Sequence, residues 1–263
     1  MIEFVSFSDV NELNTYVAKK LWSELSVNCH SAHFLPTGNT YLGIYREFLK
    51  LLAGDKTPVD LSELTVINLD EYVENGLPLT SDDSRSFAFY MQSVITALQT
   101  KDFQANKHIF PHSLGDDKPF QPYQLLNQFD NWLKTIDVAS AFLGLGPKSS
   151  PHIAFCSPQY TDNFDISWQE IGAYVAPVDE ATRKANADNH GMNDNDRSVP
   201  PLSCTISAGT LWQTKPRNIY LVAYGKNKDL SVIESDLDVG ENPASVLKKL
   251  AETGSHVEII TID

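Results

Sequence analysis

Two adjacent carboxylates, Asp70 and Glu71, follow an apolar run over residues 65–69 that has the composition of a buried strand. A carboxylate at the carboxyl end of a strand can act as a general base on a proton next to a carbonyl. Because adjacent residues of an extended segment point to opposite sides, we expect only one of the two to face a ligand. A solvated strand end without function explains the pair equally well from these residues alone.

An earlier strand, over residues 32–35, leads into a polar turn and then a helix. We expect Gly38 to let the backbone turn sharply, while Thr37, Asn39 and Thr40 place polar side chains beside the free N–H groups of the helix. Such a helix start stabilises an anion by its dipole and by hydrogen bonds. An ordinary strand–helix turn capped by Asn39 or Thr40 uses the same residue types and remains an alternative.

Two later turns carry further polar candidates. His152 follows the glycine pair Gly144 and Gly146 and is a candidate proton shuttle, because imidazole changes its charge near neutral pH. Lys226 and Lys228 follow an apolar strand, and either could hold a phosphate as a point charge. A structural histidine and a solvated basic turn are the alternatives. In open α/β sheets such strand ends meet at one edge, so the set indicates chemistry on a small phosphorylated molecule.

Composition excludes several classes of function. The chain has 263 residues, 42% of them hydrophobic, and its formal net charge of −14 disfavours binding to nucleic acid or to anionic membranes. The chain start lacks the features of a signal peptide and no run approaches the ~20 apolar residues of a membrane span, so we expect a cytoplasmic location. We expect the cysteines to be free thiols, because they are widely spaced: Cys29, Cys156 and Cys204.

The elements that must position these residues alternate between helix and strand. Apolar residues at helical spacing predict helices over residues 10–21, 42–52, 86–98, 123–134, 179–187, 229–235 and 243–251. Short apolar runs predict strands over residues 32–35, 64–69, 138–145, 171–175, 218–224 and 257–262. This order predicts an α/β fold, doubly wound, with a mainly parallel sheet and helices on both faces, in a single domain spanning residues 1–263.

Two segments lack periodicity and are expected to be loops, residues 106–121 and 188–201. The second could be a lid over the site or a plain solvated loop. The helix that begins near Arg85 and Ser86 follows a polar loop, so its N-terminus could return to the same sheet edge.

The motifs together resemble the glucosamine-6-phosphate deaminase/isomerase family, whose relatives include 6-phosphogluconolactonase. The resemblance covers the chain from roughly Ala32 to the C-terminus. It rests on Leu35-Pro-Thr-Gly-Asn-Thr40, Asn68-Leu-Asp-Glu-Tyr72 and His152-Ile-Ala-Phe155, together with residues 42–45, 86–91, 143–146, 182–186, 209–211 and 225–228.

The resemblance implies a role for each matching residue. The turn with Thr37, Gly38, Asn39 and Thr40 would grip the sugar phosphate together with Lys228. Asp70 would shuttle a proton between C2 and C1 during aldose–ketose isomerisation, beside Glu71, and His152 would assist ring opening before water displaces ammonia. Ser86 and Arg183 are further candidates. No metal and no organic cofactor is implied, and the expected partner is a small-molecule sugar phosphate, in a chain that could form a homo-oligomer.

The chain departs from the family pattern at several positions. Ser150 and Ser157 stand where the family has an aspartate and a glutamate that orient the histidine. A serine cannot stabilise an imidazolium as a carboxylate does, so ring opening should be slower or supported differently. Asp188 stands where a phosphate-binding arginine is usual. This places a negative charge where a cation is expected, unless Arg183 or Arg197 substitutes for that arginine.

Three hypotheses follow from these residues. The first is a hexosamine-6-phosphate deaminase or isomerase of amino-sugar catabolism, of unspecified epimer. The second is a lactonase acting on a phosphorylated sugar lactone, which is disfavoured because those relatives usually show Thr-Ala-Ser after the histidine. The third is a non-catalytic regulator that binds sugar phosphate on a decayed enzyme scaffold.

Overall fold

The computed structural model describes residues 2–55, 57–101, 108–109, 122–148, 151–156, 166–189 and 199–263. The strands are β1 (Ile2–Phe7), β2 (Ala32–Leu35), β3 (Thr65–Asn68), β4 (Asp70–Glu74), β5 (Leu77–Pro78), β6 (His108–Ile109), β7 (Val138–Gly144), β8 (Tyr174–Pro177), β9 (Leu202–Thr205), β10 (Asn218–Val222) and β11 (His256–Ile262). The helices are α1 (Val10–Val27), α2 (Leu42–Gly54), α3 (Phe87–Gln99), α4 (Pro122–Leu133), α5 (Glu180–Asn189), α6 (Ala208–Thr214) and α7 (Val246–Glu252).

The main sheet is parallel and follows the strand order β1-β11-β10-β7-β2-β3-β6. Alternate side chains of each strand enter different cores, as the two-residue period of a strand requires. In β10, Ile219 and Leu221 pack with α4, α6 and α7, whereas Tyr220 and Val222 pack with α1, α2 and α3. The predicted doubly wound α/β fold with helices on both faces is therefore confirmed.

The chain order reverses between β2 and β7. From β2 the sheet grows one way through β3 and β6, and from β7 it grows the other way through β10 and β11. The loops after β2 and β7 therefore leave the carboxyl edge in opposite directions and open a crevice between them.

A second, antiparallel sheet of order β5-β4-β9-β8 was not expected from the sequence. After β3 ends at Asn68, the chain passes through Leu69 and enters this sheet at Asp70, which pairs with Thr205 of β9. The prediction that the carboxylates close the apolar strand is corrected, because they begin the next strand instead.

Most predicted elements agree with the structure, with shifts of a few residues at their ends. The strand expected over 171–175 lies at Tyr174–Pro177, and the helix expected over 229–235 is a short 3-10 helix, Leu230–Val232. Both predicted loops fall largely outside the described residues, so a lid over the site stays untested. The cysteines are free thiols, Cys156 and Cys204 buried and Cys29 half-buried. Among the described helices, none is both long and apolar enough to cross a membrane.

Candidate functional site

A cavity of about 750 Å³ opens at the carboxyl edge of the main sheet. Its described walls come mainly from the loops that follow β2, β3, β7 and β10, with additions from α3 and α5. The lining includes Thr37, Gly38, Asn39, Thr40, Asp70, His152 and Lys228 from the predicted set. The topology thus brings together the polar turns that the sequence singled out, at the crevice where the strand order reverses.

The turn after β2 presents backbone donors to this cavity. Residues Asn39–Tyr41 form a 3-10 helix that leads into α2, and Tyr41 N–H donates to Gly38 O at 2.9 Å. Within the described residues, the N–H groups of Gly38, Asn39 and Thr40 have no protein acceptor. Three unused donors at a helix start form an anion receptor.

Gly38 does not supply the sharp turn expected of it. Its φ of −74° and ψ of 159° are ordinary extended values that any residue adopts. A Cβ added there would meet no atom within 4 Å. The glycine therefore keeps the backbone open to the cavity, so that a ligand can approach the neighbouring N–H groups closely.

Asp70 faces the same turn. The residue is 6% exposed, and its Oδ1 accepts a hydrogen bond from Thr37 Oγ1 at 3.0 Å. Burial raises the pKa of Asp70 to about 7, and the hydrogen bond from Thr37 only partly opposes that shift. A carboxyl with this pKa is a stronger base than an ordinary aspartate and is half ionised near neutral pH.

Glu71 points away from the cavity, as the alternation of an extended strand predicts for one of the pair. Its Oε1 accepts the N–H groups of Tyr72 and Phe87, and its Oε2 accepts that of Ala88, at 2.8–3.0 Å. Burial raises the pKa of Glu71 to about 8, against the effect of these three donors. Glu71 closes the start of α3 and is not one of the described lining residues, so a catalytic part for it stays a prediction.

Ser86 completes the closure of the same helix. Its Oγ accepts the N–H of Phe89 at 2.9 Å, and its carbonyl accepts that of Tyr90 at 3.1 Å. The first four N–H groups of α3 are therefore all satisfied within the protein. Ser86 caps this helix and does not line the described cavity, so its candidate role as a site residue stays a prediction.

Lys228 contributes a cation to the cavity wall. Its Nζ donates to the carbonyl of Leu145, and within the described residues no carboxylate lies within 4.0 Å of it. Burial lowers the pKa of the ammonium group, because the charged form loses hydration without gaining a counter-ion. A bound anion would supply that counter-ion.

His152 follows the turn that contains Gly144 and Gly146, and it lines the cavity. It is 7% exposed, and its carbonyl accepts the N–H of Gly146 at 2.8 Å. It is followed by a tight turn in which Cys156 N–H donates to Ile153 O, and Ala154 takes a left-handed φ of 54°. This strained turn lines the cavity directly after the histidine.

Arg183 is not one of the described lining residues. Its Nε and Nη2 donate to the carbonyl of Val199 at 3.2 and 2.9 Å, and a part for it at the site stays a prediction. Asn186, three residues further along α5, does line the cavity: it accepts from Asn39 Nδ2 at 3.3 Å and donates to the hydroxyl of Tyr72 at 2.6 Å. Asn186 belongs to the motif over residues 182–186, but nothing in the sequence showed which residue of that helix faces the cavity.

Several other lining residues were also missed by sequence reasoning, namely Tyr41, Phe87, Lys148, Ala154, Phe155, Thr182 and Asn227. Ser150, Ser157 and Arg197 lie outside the described residues, as does the side chain of Asp188. The consequences of the family departures at these positions therefore stay predictions.

A group with metal-ligand chemistry lies elsewhere. Among the described residues, Glu3, His256 and Glu258 bring their ligand atoms within 4.8 Å of one another on β1 and β11. Glu258 already binds Lys20 Nζ at 2.9 Å and Tyr16 Oη at 2.7 Å, and none of the three lines the cavity. A cation there would have to compete with the ammonium of Lys20.

The fold and the site together define a class, an α/β protein with an anion receptor beside a buried basic carboxylate at the crevice of a parallel sheet. No family model matches the chain. Glucosamine-6-phosphate deaminase of Staphylococcus epidermidis is 27% identical over 100% of this chain and 97% of its own length. The enzyme of the same name from Staphylococcus saprophyticus is 28% identical over 88% and 87%.

Solved structures agree with these relatives. A monomeric glucosamine-6-phosphate deaminase of the NagB superfamily superposes with a TM-score of 0.75 at 25% identity, over 99% of this chain and 97% of that one. A 6-phosphogluconolactonase from Shewanella baltica matches in fold, with a TM-score of 0.64 at 18% identity over 100% and 98%. The predicted resemblance to the glucosamine-6-phosphate deaminase/isomerase family is confirmed, and it extends over the whole chain. These relatives and neighbours are enzymes, as expected for this chain.

Proposed function

We propose that this protein is a hexosamine-6-phosphate deaminase that converts glucosamine-6-phosphate to fructose-6-phosphate and ammonia. The observation that carries the proposal is that Asp70, with a pKa raised to about 7, shares one cavity with an open anion receptor and Lys228. A sugar phosphate needs both features, a receptor for its charged end and a base for its reacting carbons.

The chemistry follows from this arrangement. The phosphate binds the N–H groups of Gly38, Asn39 and Thr40 and the ammonium of Lys228, and this fixes the sugar relative to Asp70. Asp70 removes the proton from C2 of the open-chain sugar and returns it to C1, which converts the C1 aldehyde to an alcohol and the C2 amine to an imine. Water then adds to this imine at C2 and ammonia leaves, which gives the ketose. His152 assists the ring opening that precedes these steps.

Further support comes from the full-length sequence relatives, which bear the name glucosamine-6-phosphate deaminase. The lactonase hypothesis draws support from fold alone, because the lactonase quoted above is 18% identical to this chain. A hydrolytic lactonase also gains little from a base that returns a proton to a neighbouring carbon. We therefore place the deaminase first.

One panel of assays tests the proposal. Purified protein is given glucosamine-6-phosphate, galactosamine-6-phosphate or 6-phosphogluconolactone, and release of ammonia, ketose phosphate and acid is followed. We expect ammonia and ketose phosphate in equal amounts from a hexosamine phosphate. Acid release without ammonia would favour the lactonase, thermal stabilisation without turnover would favour the regulator, and no response to any compound would contradict all three.

Two organisational predictions accompany the function. We propose that the chain acts as a single domain and that it can assemble into a homo-oligomer. Light scattering on the purified protein, with and without glucosamine-6-phosphate, measures the assembly directly.

A further inference from the structure

The proposed substrate carries a phosphate of about two negative charges into a protein whose formal net charge is −14. Lys228 supplies one positive charge, and burial has already lowered its pKa. The backbone donors of the turn contribute partial charge only. A second cation at the cavity would offset the unfavourable overall field.

Lys148 occupies such a position. It lines the same cavity as Lys228, in the loop that follows β7. Its backbone N–H donates to the carbonyl of Asn227 at 2.6 Å, which fastens this loop to the loop that carries Lys228. The backbone contact therefore fixes the point on the cavity wall from which the side chain of Lys148 extends.

The side chain of Lys148 makes a weak ion pair with Asp229. Its Nζ lies 3.6 Å from Asp229 Oδ2, and the lysine side chain is 71% exposed. An exposed pair at this separation contributes little, because water screens it. Asp229 is moreover held in place by Ser231, whose N–H and hydroxyl both donate to its Oδ1, so it does not need the lysine.

We infer that Lys148 is the second cation of the phosphate site, and that it exchanges its contact with Asp229 for the bound phosphate. The inference rests on the proposed function and names a binding residue for the same cavity. Lys148 acts on binding and not on the proton transfer, because it touches the phosphate end of the substrate. Its effect therefore falls on substrate affinity and leaves the turnover rate nearly unchanged.

The test compares Lys148→Met with Lys226→Met. Lys226 is an exposed lysine two positions before Lys228 that does not line the described cavity, so it controls for loss of one positive charge. Titration calorimetry with glucosamine-6-phosphate and with inorganic phosphate should show about three- to tenfold weaker binding for Lys148→Met. Lys226→Met should bind like the unmodified chain, and Lys148→Arg should restore most of the affinity.

A double-mutant cycle isolates the exchange with Asp229. Asp229→Asn keeps the acceptor for Ser231 but removes the competing charge, so it should tighten phosphate binding about twofold. That gain should disappear in the Lys148→Met background. Equal affinities for Lys148→Met and Lys226→Met, or an Asp229→Asn gain independent of Lys148, would overturn the inference while leaving the proposed function standing. Absence of binding by the unmodified chain would overturn the proposed function itself.

Discussion

Two helix starts lie beside β4, and they differ in how their N–H groups are used. The turn before α2 leaves three N–H groups without an acceptor in the part of the chain that the structure describes, whereas the first four of α3 are all bonded to Glu71 and Ser86. Because a buried donor without a partner destabilises the fold, the open start has to face water or a ligand. We therefore propose that the open start marks the site and that the closed one supports the structure.

The adjacent carboxylates of β4 divide between these two helix starts. Asp70 accepts from Thr37 on the open side, and Glu71 accepts from Phe87 and Ala88 on the closed side. The alternation of the strand separates their roles, although their chemistry is almost the same. The acid pair thus combines one candidate base with one carboxyl group that closes a helix.

The largest expected effect is on turnover by Asp70→Asn. Loss of the base should reduce kcat for ammonia release by about 10²–10⁴-fold, with little change in phosphate affinity. Steady-state assays with glucosamine-6-phosphate and calorimetry with inorganic phosphate measure the two quantities. Glu71→Gln is the matched variant, and a folded Glu71→Gln protein with an equal loss of kcat would contradict the division of roles.

The same carboxyl should make stability depend on pH. The pKa of Asp70 is near 7 in the folded chain and about 4 in the unfolded chain. Between these pH values the folded chain therefore binds a proton at Asp70 that the unfolded chain has released. Its contribution therefore becomes less favourable as pH rises from 4 to 7, by up to about 4 kcal/mol. Asp70→Asn should raise the free energy of unfolding more at pH 8 than at pH 5, measured by urea denaturation. A constant difference would refute the raised pKa.

A buried imidazole in β2, that of His33, should make stability change with pH in the opposite direction. His33 is fully buried, with Nδ1 2.7 Å from Ser140 Oγ and Nε2 3.1 Å from Asn28 O, and burial lowers its pKa to about 4. Between pH 6.5 and pH 4 the unfolded chain binds a proton that the folded chain does not. Stability should therefore fall by up to about 3 kcal/mol as pH drops through that range.

The His33→Gln variant separates this effect from that of Asp70. Its free energy of unfolding should be lower at neutral pH but should lose the additional decline below pH 6.5. An unchanged slope in the variant would assign the acid sensitivity to other groups. Urea denaturation of His33→Gln and of Asp70→Asn over the same pH range would assign one pH response to His33 and the other to Asp70.

Sequence reasoning located the open helix start but not the closed one. The turn from Thr37 to Thr40 and the acid pair were predicted from local pattern, because strand ends and helix starts are local features. The family resemblance then singled out Asp70 as the candidate base and Lys228 as the candidate phosphate ligand. The closure of α3 by Glu71 depends on β4 turning into a second sheet. That sheet joins short strands from distant parts of the chain, such as the four-residue β9, whose pattern is too brief to recognise.

A substitution at the closed helix start should change the free energy of unfolding and not the turnover rate. Glu71→Gln keeps an acceptor for Tyr72 and Phe87 but turns an amide toward the N–H of Ala88, which leaves two donors facing each other. We expect a loss of about 2 kcal/mol in the free energy of unfolding, from one buried donor without an acceptor. Urea denaturation measures it, and a stability equal to that of the unmodified chain would show that Glu71 does not close the helix.

The smallest expected effect concerns the strained turn beside His152. Ala154 has a φ of 54°, a region that glycine occupies without strain, so Ala154→Gly should raise the free energy of unfolding by about 1 kcal/mol. Ala18→Gly, within α1, is a control that should change stability in the opposite direction because helical glycine is unfavourable. If the alanine holds His152 for ring opening, Ala154→Gly gains stability and loses kcat together. A gain in stability with unchanged kcat would instead make the turn a feature of the fold, and would confine the chemistry to the open helix start and Asp70.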